Sequence, residues 1–165
     1  MPTKTAITLC NSCYSIIREH GIPAVEAVRN GIVNEHVESV IEANVLLSGI
    51  GFESGGLALA HGLTRGLTAR METQNTLHGE LVAWGLLVQL VAEGRDDEFI
   101  NDVADFYKAI GLPGCLKDIG FDSVEKEAVH AIANVTYMEA PYIRNLKKPL
   151  SLDRLVSCIW AVEDL

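Results

Sequence analysis

The chain has 165 residues, 48% of them hydrophobic and 21% charged, which suffices for one domain that buries its own core without staples. A formal net charge of −9, with no basic run longer than the Lys147-Lys148 pair, argues against binding to nucleic acid or anionic membranes. No apolar run approaches the roughly 20 residues of a membrane helix. The opening Met1-Pro2-Thr3-Lys4-Thr5 has no signal-peptide core behind it, and four scattered cysteines point to a reduced, cytoplasmic protein.

Nearly every segment carries helical periodicity, and strand alternation is scarce. Ala6, Leu9, Cys10, Cys13, Ile16 and Ile17 recur at three- and four-residue spacing, which predicts a helix ending at His20-Gly21. Pro23 suits the first turn of a short second helix that Gly31 closes. Asn34 is placed to cap a third, with Val37, Val40, Ile41, Asn44, Val45 and Leu47 on its inward face. Gly49 and Gly51 are expected to break it, and Glu53-Ser54 to open the next helix, apolar nearly all round through Ala69. The glycines in that segment each cost about 1 kcal/mol of helix propensity, which close approach of a neighbouring helix or a ligand would offset.

Arg70 to Thr76 is polar and loop-like. His78 opens another apolar helix that Gly94 caps, and Asp96-Asp97-Glu98 place acids at the start of the following one. Gly111-Leu112-Pro113-Gly114 is a break, Asp122-Ser123 is expected to cap a helix running to Glu139, and Pro149-Leu150-Ser151 leads into a last helix from Leu152. The fold class is therefore all-α: a single all-helical domain, 1–165, of about seven to nine helices.

Two histidines draw the chemistry. His61 lies inside the most apolar helix, where an imidazole needs partners for both nitrogens; a core histidine bonded to backbone and a metal ligand are both open readings. His78 stands at a helix start, where the positive field of the exposed amides favours a neutral, metal-competent imidazole. Glu80 is either a first-turn carboxylate or a partner to the histidines. His20, His36 and His130 are expected to be surface or capping residues, and Cys10 and Cys13 to pack along a helix. No GxSxG, HExxH or phosphate-loop pattern occurs.

Val40 through Asn44, Gly51-Phe52-Glu53-Ser54-Gly55-Gly56-Leu57-Ala58, Ala60-His61 and His78-Gly79-Glu80-Leu81-Val82-Ala83-Trp84-Gly85 together resemble the C-terminal helical domain of glycerol dehydrogenase. The resemblance runs over almost the whole chain and places it among the metal-dependent polyol and alcohol dehydrogenases related to dehydroquinate synthase. It implies an NAD-dependent oxidoreductase of glycerol or a similar vicinal diol, oligomeric when whole. It implies zinc rather than iron, held by an aspartate and two histidines, with His61 and His78 matching the histidines. The aspartate, the glycine-rich pyrophosphate loop and most of the NAD contacts belong to a nucleotide-binding N-terminal domain that has no counterpart in this sequence. Thr64 stands where the family commonly has a further histidine, Gln74 and Asn75 where it tends to have histidines, and Leu81 where it has a lysine. Two other classes follow from the missing half: one subunit of a split dehydrogenase, or a non-catalytic fragment serving interaction or oligomerisation.

Overall fold

The computed structural model describes residues 2–165; Met1, part of the opening segment expected to lack a signal-peptide core, lies outside the described residues. Every regular element among them is helical, with eight α-helices, and no single helix is long and apolar enough to cross a membrane. Backbone contacts divide the chain into two compact units, Met1–Gly56 and Leu57–Leu165.

In the first unit α1 spans Lys4–Arg29, its N-terminus capped by the Thr3 hydroxyl, which accepts from the Ala6 N–H at 3.1 Å. It does not stop at His20-Gly21, as the local signals suggested. Pro23 sits inside one continuous helix, leaving the Glu19 carbonyl without its helical donor. Gly21, Ala24 and Ala27 are buried there, with Ala24 and Ala27 clustered on Val37 and Val40, so packing holds the segment helical against its own breakers. The real end is Gly31, at a φ of 69°. Asn34 then caps α2, Glu35–Glu42, its side-chain oxygen accepting from the N–H groups of His36 and Val37.

A π-helical turn over Ala43–Leu47 carries α2 into α3, Ser48–Gly55. Gly49 and Gly51 therefore do not break this helix. Gly51 is buried against α1, where a Cβ would lie 2.8 Å from the Cys10 sulfur, so the glycine serves a close approach of two helices. The break comes at Gly56, whose φ of 82° suits glycine alone among common residues. Cys13 lies along the same side of α1 and donates to the Ala43 carbonyl at 3.5 Å. All four cysteines are free thiols, and burial, with Cys10 beside it, pushes the Cys13 thiol up from its ordinary value. Packing accounts for the pair.

The second unit contains α4 (Leu59–Thr68), α5 (His78–Glu93), α6 (Asp97–Ile110), α7 (Lys126–Glu139) and α8 (Leu152–Glu163), joined by short 3₁₀ turns. The start of α4 falls at Leu59 rather than Ser54 because Gly56 has turned the chain. Likewise α7 begins at Lys126, and Asp122-Ser123 are exposed residues ahead of it. Phe121 is buried, and the intervening residues return the chain to the surface before the helix starts. Gly94 and Gly111 end α5 and α6 in the left-handed conformation, as their positions predict.

The largest fully buried side chains all belong to this unit, with Trp84, Leu63, Leu87, Ile132 and Ile159 among them. Trp84 also bonds: its indole N–H donates to Glu163 Oε1 at 3.3 Å, and the Leu116 N–H reaches the same oxygen at 3.0 Å. Two of the apolar helices' glycines repay their propensity cost here. A Cβ on Gly85 of α5 would stand 2.6 Å from the Ala60 carbonyl oxygen of α4. One on Gly66 of α4 would run into the Ile132 carbonyl of α7.

Candidate metal centre

The Gly85–Ala60 approach puts α4 and α5 nearly backbone to backbone, and that sets the distance between the side chains they carry. His61 projects from the first turn of α4 and His78 opens α5; their ring centroids are 5.9 Å apart, tilted by 54°. His61 is half-buried and His78 exposed, so the pair lies at the surface of a core rather than inside it. Zinc bonds of about 2.0–2.1 Å to one nitrogen of each ring leave the centroids roughly 5.2–6.4 Å apart, as the angle at the metal opens from tetrahedral to straight. The observed spacing falls in that interval. Burial, and secondly the neighbouring His78, lower the His61 pKa from its ordinary value, which favours the neutral imidazole that binds metals. Among the described residues no group of three or more His, Cys, Asp or Glu is placed to hold an ion. Two imidazoles supply at most two ligands, and a zinc site needs at least one more.

Glu80 is not a partner to the histidines. Its carboxylate accepts from the Leu77 N–H at 2.8 Å, pinning the first turn of α5 and hence the backbone that carries His78. Thr64, one turn beyond His61, donates its hydroxyl to the His61 carbonyl at 2.8 Å and cannot replace a histidine ligand. Leu81 is buried.

A cavity of about 280 Å³ opens beside His78, walled by Thr68, Arg70, Thr73, Gln74 and Thr76 above Leu81. The 3₁₀ turn Met71–Thr73 shapes it, because Thr73 is buried and donates to the Leu67 carbonyl at 2.7 Å. Arg70 is paired with Glu72 at 2.6 Å, and this bond is the main cause holding the Glu72 carboxyl below its usual range. The stretch from Arg70 to Thr76, polar and loop-like in the sequence, thus forms the wall of a cavity, which only the folded chain reveals.

The other histidines divide. His130 is exposed on α7. His20 and His36 meet instead of facing solvent separately, Nδ1 to Nδ1 at 2.8 Å, with centroids 5.1 Å apart. That centroid spacing equals the nitrogen separation plus two ring radii, so the rings face head-on along one line. This is the geometry of an N–H···N bond and not of two lone pairs converging on a third atom. The pairing escaped the sequence because the residues sit on different helices at unrelated spacing.

The fold is that of the C-terminal helical domain of glycerol dehydrogenases. The solved structure of a probable glycerol dehydrogenase from Sinorhizobium meliloti 1021 superposes with a TM-score of 0.95 at 31% identity, over 99% of this chain and 46% of that one. Sequence comparison agrees. The glycerol dehydrogenase of Thermotoga maritima is 39% identical over 149 residues, which is 90% of this chain and 41% of that protein. The glycolaldehyde reductase of Halobacterium salinarum is 44% identical over 144 residues, 87% of this chain and 40% of that protein. No family model matches. The chain is a homologue of the glycerol dehydrogenases, an oxidoreductase family, and spans about two-fifths of the length of the curated relatives it matches.

Proposed function

We propose that this chain is the metal- and substrate-binding half of an NAD-dependent dehydrogenase that oxidises glycerol or a similar vicinal diol. The observation that carries the reading is the His61–His78 pair, two imidazoles on adjacent helices at a spacing one zinc ion can bridge. A zinc ion held there supplies Lewis acidity toward a substrate hydroxyl. His61 offers a neutral ring because burial disfavours its charged form. His78 is held in register by the Glu80–Leu77 bond and by the approach of Gly85 to Ala60. The cavity beside His78 gives a small polyol hydroxyl, amide and guanidinium groups to bond, and its Leu81 floor excludes water from one side. The third ligand and the nicotinamide site belong, on this reading, to the part of the relatives that this chain does not span.

The test is zinc stoichiometry after dialysis of the purified chain against trace zinc, beside a His61→Ala/His78→Ala control of verified fold. Zinc near one per chain, lost in the control, is the expected result. Zinc retained by the control overturns the ligand assignment; zinc absent from both would mean that the site depends on the part of the relatives that this chain does not span.

One observation favours a second reading, a subunit of a split dehydrogenase. Ile41, Val45, Leu46, Ile50 and Phe52 are exposed along α2, the π turn and α3, an apolar run unusual on a free surface. The exposed residues of α4 itself, Arg65 and Thr68, are polar. Co-expression with a nucleotide-binding domain from a relative distinguishes the two: stable co-elution with glycerol-dependent NADH formation supports the split enzyme.

A further inference from the structure

Two cavities elsewhere in the second unit share no lining residue with the one beside His78. The larger, about 410 Å³, lies against Tyr137, Arg144, Lys147 and Leu150; the smaller, about 170 Å³, against Arg95 and Lys148. They adjoin through Leu146 and Lys147, which line both. Four cations therefore converge on one place in a chain whose formal net charge is −9. No acid lines the larger cavity. The one acid of the smaller is Glu93, which accepts from the Gln89 amide at 2.8 Å.

These cations are largely uncompensated. Arg95 stacks over the Phe99 ring at 4.4 Å, which positions it without neutralising it. Among the described residues, no carboxylate lies within ion-pair distance of Arg144, Lys147 or Lys148. The segment that carries them is anchored. Pro141–Asn145 forms a 3₁₀ turn, Ile143 is buried against Gly62 of α4, and Asn145 donates to the Leu57 carbonyl at 2.6 Å. Ile143, Leu146, Pro149 and Leu150 give the larger cavity an apolar floor, and Tyr137 gives it a ring edge.

A cluster of unpaired cations beside an apolar, partly aromatic floor suits a ligand with a multiply charged head and a compact apolar body. Arginine supplies a planar fork of donors and lysine a mobile point charge, the usual combination for a phosphate dianion. We propose that the joined cavities at Arg144, Lys147 and Lys148 form a binding site for a small organic phosphate. The phosphate lies among the three cations, with Arg95 at the rim, and the apolar body rests on Ile143, Leu150 and Tyr137.

Phenyl phosphate titrated into the ¹⁵N-labelled full chain at constant ionic strength tests this by amide shifts. The expected result is saturable shifts at Tyr137 and across 143–148, with inorganic phosphate binding the same site more weakly. An Arg144→Gln/Lys147→Gln variant of unchanged amide dispersion should bind at least about tenfold more weakly, the loss of one or two charge-assisted contacts. The His61→Ala/His78→Ala chain should bind as the parent does. Shifts that never saturate, an equal response to neutral benzyl alcohol, undiminished binding by the glutamine variant, or loss of binding in the histidine variant each overturn the proposal.

Discussion

Single residues decide how closely the histidine pair is held. Gly85→Ala puts a methyl group against the Ala60 backbone, and backbone cannot swing aside as a side chain can. We expect a loss of about 1–3 kcal/mol in denaturant unfolding, together with weaker zinc uptake as His61 and His78 move apart. Gly79→Ala, one residue beyond His78 with open space around it, should do the opposite and stabilise α5 by roughly 0.5–1 kcal/mol. Equal effects at the two positions would refute the close-approach account. Glu163 gives a pH test. Burial, its largest influence, raises its carboxyl above the ordinary value of 4.5, against the bonds from Leu116 and Trp84. The folded state thus holds that proton more tightly than the unfolded chain does. The associated stability is present below the ordinary value and is lost as pH rises through the folded one. Glu163→Gln keeps an oxygen where both donors already converge, so its melting temperature should gain on the parent's as pH rises from below the ordinary carboxyl value through the raised folded one. His61 and His78 stand out in the sequence through the family likeness. Their spacing does not, because it depends on a glycine meeting a carbonyl on another helix.

At the level of elements, most boundaries were legible where the local signal and the packing agree: Asn34, His78, Gly94 and Gly111 all mark ends where they were expected. The helix breaks wrongly expected at Gly21, Pro23 and Gly51 share one cause. Gly21, Pro23 and Gly51 are breakers by propensity, but they lie where α1 to α3 pack through small residues, with Cys10 at Gly51, Cys13 at Ala43 and Ala24 and Ala27 at Val37, whereas Gly49 is exposed with open space around it. Tertiary packing overrides a weak local preference. Pro23→Ala should then raise the stability of the helix by about 1–3 kcal/mol, since it restores a backbone donor without disturbing the seam. A rise in melting temperature with unchanged helical circular dichroism would bear this out; a fall would mean that the proline sets a bend the seam requires.

For the whole molecule, coverage is the decisive fact. Relatives over twice as long are named as a glycolaldehyde reductase and a glycerol dehydrogenase, and two histidines without a third ligand do not make a catalytic zinc site. The pure 165-residue chain should yield no glycerol-dependent NADH; steady production would overturn the view that it is half an enzyme. Cohesion is also unevenly shared. The first unit is joined by small residues and by Val37 and Val40, whereas the largest buried side chains, both candidate zinc ligands and the three cavities described above lie beyond Gly56. Amides of α1 to α3 should accordingly exchange with deuterium well before those of α4 and α5. Under gradual denaturation the chain would lose its parts in sequence, and the histidine pair would belong to the last survivor, still able to report on metal after a third of the protein has melted.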